Sequence, residues 1–118
     1  MLRYEKDGPR ATITLDDPER RNPLSAEAME QMREALLDAT TDPEIRVIVF
    51  TGAGDRVFSA GGDLSGGFFD DPIGLHETRG LISEVFRLMR RGGKPTIARV
   101  NGHALAGGFG LAAACDIG

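Results

Sequence analysis

The distribution of glycine is the feature of this sequence that most restricts its fold. The chain of 118 residues contains 16 glycines, and all of them except Gly8 lie after residue 51. This is about twice the usual share of roughly 7%. Apolar periodic segments separate the glycines, which argues against a low-complexity region. The second half of the chain must therefore contain several places where the backbone turns sharply or closely approaches another group.

The hydrophobic pattern predicts strands that alternate with helices, which is typical of the α/β class. Ser25 is a suitable N-cap for the first helix, with Leu24 and Met29 placed for a hydrophobic staple. The second strand is a continuous apolar run, and the third helix is apolar all round. We expect both of these, and the third strand, to be buried on every face. The expected strands are 12–15, 47–50 and 96–100, the expected helices are about 26–39, 81–91 and 107–115, and 51–69 is expected to be loop.

Composition excludes several classes of protein. The 14 Lys and Arg residues against 18 Asp and Glu give a net charge of −4, unlike the basic face of a nucleic-acid-binding protein. Cys115 is the only cysteine, which excludes a disulfide scaffold and a multi-cysteine zinc site. The sequence has no apolar run of about 18 residues and no apolar segment typical of a signal peptide at its start. We therefore expect a cytoplasmic protein that binds neither nucleic acid nor membrane.

Common cofactor and metal motifs are missing from the sequence. It contains no GxGxxG dinucleotide fingerprint, no phosphate-binding loop and no HExxH zinc motif. His76 and His103 lie far apart, without a second ligand at metal-binding spacing. We therefore expect neither a metal ion nor a separate cofactor.

Two glycine-rich turns each follow a predicted strand, at 58–64 and at 104–110. Glycine at a helix N-terminus would let a ligand atom reach backbone N–H groups that have no helical partner. Two such amides directed at one point would form an oxyanion hole. The alternative is that these glycines only permit close packing of a helix on a strand, and the spacing by itself leaves both interpretations open.

These two stretches resemble the enoyl-CoA hydratase/isomerase (crotonase) family. The resemblance rests on 57–64 (VFSAGGDL) and on the longer 94–117 (KPTIARVNGHALAGGFGLAAACDI). Residues 21–24 and 47–52 also fall where the family has its own versions, so the resemblance covers nearly the whole chain.

The resemblance implies a crotonase-like (ClpP/crotonase) spiral of ββα units around a pocket for a CoA thioester, rather than a doubly wound sheet. Residues 1–118 would be the N-terminal part of such a domain, truncated at the C-terminal side, with the C-terminal helical part absent. By the same resemblance, the partner is an acyl-CoA thioester, and the full-length protein is a homo-oligomer, a trimer or a dimer of trimers.

The resemblance also implies roles for individual residues. The backbone N–H groups of Gly62 and Gly107 would form the oxyanion hole for the thioester carbonyl. Arg21 lies where the family places residues near the CoA phosphates, although an exposed loop arginine could also be merely solvated. The loop that would hold CoA, largely through its main chain, comprises Ala60, Gly61, Gly62, Asp63 and Leu64.

One position departs from the pattern of the family. Hydratases of this family have a catalytic Glu three residues after the second oxyanion glycine, and this chain has Gly110 there. A residue without a side chain cannot move a proton, so two-carboxylate hydration is disfavoured, whereas isomerisation or other thioester-enolate chemistry fits. We expect an enzyme of the lyase or isomerase type that is inactive as this truncated chain. The alternative is a non-catalytic CoA-binding or interaction module.

Overall fold

The computed structural model describes residues 2–62, 72–105 and 107–118, with 72–79 described as backbone only. Within these residues, strands and helices alternate, which confirms the α/β class. The elements in chain order are β1 (Leu2–Asp7), β2 (Arg10–Leu15), β3 (Pro23–Leu24), α1 (Ala26–Thr41), β4 (Val47–Gly52), β5 (Val57–Ser59), β6 (Gly61–Gly62), α2 (Pro72–Arg91), β7 (Thr96–Arg99), β8 (His103–Ala104) and α3 (Gly107–Ala114).

A four-stranded sheet in the order β1-β2-β4-β7 forms the centre of the fold. β1 and β2 are antiparallel and joined at Gly8, whose φ of 59° explains the glycine. β2, β4 and β7 are parallel. Ile117 forms a parallel bridge with Ile97, so the outer edge of β7 also has a neighbour. Two short parallel pairs, β3 with β6 and β5 with β8, lie outside this sheet.

The core lies between one face of the sheet and the helices α1 and α2, which pack against each other. Side chains alternate between the two faces of a strand, and the residues that point to this face are mostly apolar, with Thr96 as a buried polar member. The fully buried side chains of this core include Ile13, Met32, Leu36, Ile48, Phe50 and Val85. No described helix is both long enough and apolar enough to cross a membrane.

Local signals place α1 as expected. The Ser25 side chain accepts a hydrogen bond of 3.1 Å from the Ala28 N–H, which satisfies one of the free amides of the first turn. Leu24 and Met29 belong to the same buried cluster, as a hydrophobic staple requires. At the other end, the Lys94 ammonium donates to the carbonyl of Ala39, at 2.7 Å, and to that of Asp42. A cation there also complements the helix dipole.

Several expected boundaries were wrong. The segment 51–69 was expected to be loop, but it contains the end of β4 and the short strands β5 and β6. β1 and β8 had no expected counterpart, and α2 begins at Pro72 instead of near residue 81. Strands of two or three residues are defined by the distant partner that they pair with, and a local hydrophobic pattern does not contain that information.

The expectation of burial on every face was also wrong for two strands and one helix. In β4 only alternate residues are buried, and Val47 and Val49 are half-exposed. In β7 Thr96 and Ala98 are buried, whereas Ile97 is half-exposed. In α3 the buried residues are Gly108 and Leu111, whereas Phe109, Ala113 and Ala114 are exposed. The physical reason is that, within the described residues, no element packs over the other faces of these segments.

Candidate functional site

The first glycine turn leads from β5 through Ala60 into β6. The Ala60 N–H donates to the Arg21 carbonyl at 2.9 Å, and the Gly61 N–H donates to the Ser59 hydroxyl oxygen at 3.1 Å. Gly61 has a φ of 92°, a left-handed conformation that residues other than glycine rarely adopt. The turn is therefore held by a hydrogen bond to the segment before β3. At Gly61 its backbone has a conformation that only glycine adopts without strain.

The second glycine turn leads from β8 into α3. The Leu105 N–H donates to the Ser59 carbonyl at 2.9 Å, and the Gly108 N–H donates to the Leu105 carbonyl at 2.8 Å. A Cβ atom at Gly108 would overlap the Ser59 carbonyl group and approach its Cβ to 2.7 Å. The interpretation of glycine as a packing residue therefore holds at Gly108, where the helix lies directly on β5.

The fold brings the two expected oxyanion residues into neighbouring segments. Gly62 ends β6, Gly107 begins α3, and α3 packs against β6. Gly107 thus lies at a helix N-terminus, where amides lack helical acceptors and the helix dipole is positive. That the two amides point into one cavity stays a prediction.

The residues expected to hold CoA are only partly covered by the structure. Ala60 and Gly61 lie beside Arg21, as the hydrogen bond from Ala60 to the Arg21 carbonyl requires. Asp63 and Leu64 lie outside the described residues. Arg21 is exposed, and its guanidinium forms no ion pair with any part of the chain that the structure describes. An exposed arginine next to this turn is available to contact an anionic ligand.

The buried residue Asn22 connects this region and was not singled out by the sequence. Its side-chain oxygen accepts from the Asp17 N–H at 2.8 Å, and its Nδ2 donates to the carbonyls of Ala53 and Val57 at 3.1 and 3.0 Å. Arg21 and Asn22 both have left-handed backbones, with φ of 66° and 50°. Asparagine adopts this conformation more readily than most residues. An asparagine directly before a proline was therefore the one sequence signal that could have identified Asn22.

Asn101 also fixes this region through its side chain, and it was not singled out by the sequence either. Its Nδ2 donates to the carbonyls of Gly54 and Val57 at 2.9 and 3.1 Å. Its Oδ1 accepts from the Gly52 N–H at 3.1 Å. Asn101 therefore fixes the loop between β4 and β5, the strand from which the first glycine turn departs.

Gly110 lies on α3 one helical turn after Gly107. A Cβ atom added at Gly110 would meet no atom within 4 Å, so its side faces open space. The large apolar side chains of Leu105 and Phe109 flank this part of the chain and are 51% and 64% exposed. The surface around the start of α3 is thus apolar, with room for an additional group at Gly110.

Ionisable groups with displaced pKa values lie away from the glycine turns. Hydrogen bonds from Lys6 hold the pKa of Asp38 and that of Asp42 below their ordinary value, and this cluster joins β1 to α1. Among the described residues, no group of three or more His, Cys, Asp or Glu is placed to hold a metal ion. A cavity of about 930 Å³ covers the outer sheet face around Arg3, Thr12 and Arg99. It does not lie between the two glycine turns, and we base no site on it.

Comparisons with known proteins agree on one family. Residues 6–118 match the sequence model of the family described as enoyl-CoA hydratase/isomerase. A Thermus thermophilus protein provisionally named enoyl-CoA hydratase is 45% identical over an alignment of 122 positions that covers 99% of this chain and 47% of that protein. The carnitinyl-CoA dehydratase of Citrobacter koseri is 42% identical over 119 residues, 98% of this chain and 43% of the relative. The chain thus spans just under half the length of these curated relatives.

Solved structures support the same fold. A crystal structure of enoyl-CoA hydratase from Bacillus anthracis is similar with a TM-score of 0.89 and 28% identity, over 98% of this chain and 45% of that chain. The structure of DspI from Pseudomonas aeruginosa gives a TM-score of 0.89 and 34% identity, over 98% of this chain and 44% of that chain. The crotonase-like fold expected from the resemblance is therefore confirmed.

Proposed function

Since this chain belongs to the enoyl-CoA hydratase/isomerase family, we propose that it binds an acyl-CoA thioester and stabilises the enolate of that thioester. The backbone N–H groups of Gly62 and Gly107 donate to the thioester oxygen. Enzymes of this family act on CoA thioesters without a separate cofactor. The names of the similar proteins, a carnitinyl-CoA dehydratase among them, support thioester chemistry for this chain.

The observation that carries the proposal is that one residue, Ser59, contacts both glycine turns. Its hydroxyl accepts from the Gly61 N–H, and its carbonyl accepts from the Leu105 N–H. This arrangement supports a shared site for the amides of Gly62 and Gly107. Each preorganised donor of such a site contributes about 3–4 kcal/mol to the stability of the transition state.

Gly110 decides which chemistry this site performs. A hydratase needs carboxylates that position the attacking water, and α3 supplies none at this position. A base outside α3 therefore removes the proton next to the carbonyl, and the electron pair moves onto the thioester oxygen. Double-bond isomerisation and other enolate reactions follow from this step, and hydration does not.

The proposed chemistry is tested by exchange of the acyl-CoA α-proton in deuterated water. Residues 1–118 alone should be inactive, whereas the complete protein should introduce deuterium at the carbon next to the thioester carbonyl, as followed by mass spectrometry. It should not hydrate an enoyl-CoA, as followed by loss of the conjugated-thioester absorbance. Rapid hydration by the parent protein would refute the proposed chemistry.

We further propose that Arg21 contacts the CoA phosphates beside the turn at Ala60 and Gly61. Arg21→Asn keeps a residue that tolerates the left-handed backbone and removes the charge. The affinity of this variant for acyl-CoA should fall about tenfold or more, because a charged hydrogen bond contributes about 1.5–3 kcal/mol. Its affinity for the matching acyl-pantetheine thioester, which lacks those phosphates, should not change. The matched control is Arg20→Asn, since Arg20 lies 3.7 Å from Asp17 in an ion pair.

A second candidate function is a CoA-binding module without catalysis, which the missing side chain at Gly110 favours. Such a module would bind acyl-CoA in calorimetry and leave the α-proton unexchanged. A protein with no affinity for immobilised CoA would fit neither function and would be a purely structural α/β domain.

We propose also that residues 1–118 are the N-terminal part of a longer crotonase-like domain, and that the complete protein is a homo-oligomer, a trimer or a dimer of trimers. The share of the relatives that the chain spans, 47% and 43%, supports the first statement. The exposure of Leu105, Phe109 and Ile117, at 51%, 64% and 57%, supports the second, because neighbouring large apolar side chains mark interaction surfaces. Light scattering of the purified protein tests the assembly, and a monodisperse monomer would refute it.

A further inference from the structure

Ser59 is the residue at which the two glycine turns meet. It is completely buried, at 0% exposure. Its hydroxyl donates to the Asn22 carbonyl at 2.7 Å and accepts from the Gly61 N–H at 3.1 Å. Its carbonyl accepts from the Leu105 N–H at 2.9 Å, and Gly108 packs on its main chain. The side chain of Ser59 therefore reaches the first turn while its backbone holds the second.

We propose that the Ser59 hydroxyl is a positioning group that sets the direction of the Gly62 amide relative to the Gly107 amide. This inference rests on the proposed function, because it concerns how the two amides of the proposed oxyanion site are kept in the correct relative orientation. Ser59 does not touch the substrate, and it acts only through the turn that follows it.

The hydroxyl suits this task because it is both a donor and an acceptor. The two amides that precede Gly62 in the turn are already used, that of Ala60 by the Arg21 carbonyl and that of Gly61 by Ser59. Gly61 has the conformational freedom of glycine, so without the bond to Ser59 rotation of the peptide between Gly61 and Gly62 is restricted only by the short pairing of β6 with β3. The donation from Ser59 to the Asn22 carbonyl, meanwhile, ties the turn to the segment that carries Arg21.

A small rotation of this peptide has a large consequence for an oxyanion site. A displacement of about 1 Å at a reacting group can reduce the rate by about 10²-fold. The affinity for CoA depends less on this one peptide, because Arg21 and the other residues of the turn would also contribute to it, whereas the polarisation of the carbonyl depends on the two amides alone. The inference therefore separates two measurements, the polarisation of the thioester carbonyl and the affinity for CoA.

The test is the infrared carbonyl band of a bound acyl-CoA labelled with ¹³C at the thioester carbon. In the parent protein, hydrogen bonds from the two amides should shift this band to lower frequency than in water. In Ser59→Ala most of that shift should be lost, while the affinity for acyl-CoA changes less than about threefold, or less than about 0.7 kcal/mol. α-Proton exchange should slow by about 10–100-fold.

Two further variants separate the hydrogen bonds from stability and volume. Ser59→Cys fills the same space but has only a weak donor and acceptor, so it should also lose most of the shift. Because this variant leaves no cavity, the loss would be due to the hydrogen bonds. Thr96→Val removes another buried hydroxyl, that of Thr96 in β7, which is hydrogen-bonded to Asp116. This variant should keep the full shift even if it is as destabilised as Ser59→Ala. Thermal unfolding of all variants verifies that each is folded at the temperature of the measurement.

Each outcome has a distinct meaning. A parent protein that shows no shift on bound acyl-CoA overturns the proposed oxyanion site, and the role of Ser59 with it. A shift in the parent that persists in folded Ser59→Ala or Ser59→Cys overturns the role of Ser59 alone. Loss of the shift in Thr96→Val as well would show that general destabilisation is the cause and would also overturn the inference.

Discussion

Asn22 and Asn101 donate to the same oxygen atom, the carbonyl of Val57, at 3.0 and 3.1 Å. The two asparagines come from opposite ends of the chain and converge on the strand that precedes the first glycine turn. Asn22 is 1% exposed, so its hydrogen bonds are shielded from water. Buried bonds of this kind are costly to leave unmade, which makes this carbonyl a fixed point of the candidate site.

A double-mutant cycle should reveal the shared acceptor. In Asn22→Ala or Asn101→Ala the remaining asparagine still satisfies the Val57 carbonyl, and each variant should lose about 1–3 kcal/mol of unfolding free energy. In the double variant that carbonyl has lost both donors, so the loss should exceed the sum of the single losses by about 0.5 kcal/mol or more. Urea unfolding at equilibrium measures all four proteins. Strict additivity would show that the two bonds are independent.

Gly108 and Gly110 form a matched pair on one helix. Gly108→Ala should destabilise the protein by about 1–3 kcal/mol, because its Cβ would overlap the main chain of Ser59. Gly110→Ala should stabilise it by about 0.5–1 kcal/mol, because its Cβ meets no atom within 4 Å and alanine favours the helix. Thermal unfolding of both variants gives the two signs. Equal effects at the two positions would contradict the packing of α3 on β5.

The Cys115 thiol should react slowly in the folded protein. Burial, together with the nearby charge of Asp116, raises its pKa from 9.0 to about 11, although a hydrogen bond with Thr96 opposes the shift. The thiolate is the reactive form, so its fraction at pH 8 should be about a hundredfold lower than in the unfolded chain. A disulfide reagent such as Ellman's reagent measures the rate before and after unfolding in urea. Equal rates in the two states would show that this thiol is accessible and unperturbed.

Stability should fall in acid through the cluster formed by Lys6, Asp38 and Asp42. The Lys6 ammonium lies 2.5 and 2.9 Å from the two carboxylates, and hydrogen bonds from Lys6 are the largest cause of their lowered pKa values. A lowered pKa in the folded state stabilises the protein above the ordinary value of 3.8, and this contribution is lost as the pH falls through the lowered pKa.

The measurement is the urea midpoint of the parent and of Lys6→Met between pH 2 and pH 7. Lys6→Met should be less stable near neutral pH, and the difference between the two proteins should shrink as the solution becomes acidic. Salt near 1 M should reduce the difference at pH 7, because the pair is exposed and the Debye length is then about 3 Å. A difference that does not change with pH would show that the ion pairs contribute nothing.

The sequence predicted those elements whose signals are local. α1 has its cap at Ser25 and an apolar residue at each turn, and both signals lie within the helix or next to it. β5, β6 and β8 could not be predicted, because each exists only through pairing with a strand that lies far away in the sequence. A pattern within a short window carries no information about such partners.

The candidate site was predictable to a similar extent. The resemblance assigns Gly62 and Gly107 to an oxyanion hole, which stays a prediction, and the sequence did not indicate that Gly108 packs on Ser59. Asn22 and Ser59 remained unnoticed because their functions are hydrogen bonds to residues 35 and 37 positions away. Polar residues that hold a turn through hydrogen bonds to residues far away in the sequence produce no periodic pattern.

The connection of Ser59 to both glycine turns also bears on when this region forms during folding. The segment from Val57 to Gly61 is tied to Asn22, 37 positions from Ser59, and to Asn101, 44 positions from Val57. Closing loops of this length costs entropy before the new contacts compensate for it, and chains rich in such contacts fold slowly. Asn101 and Leu105, which hold these turns in the folded protein, follow β7 in the chain. We therefore expect a nascent chain that has emerged only as far as β7 to lack the contacts that give the two glycine turns their final shape.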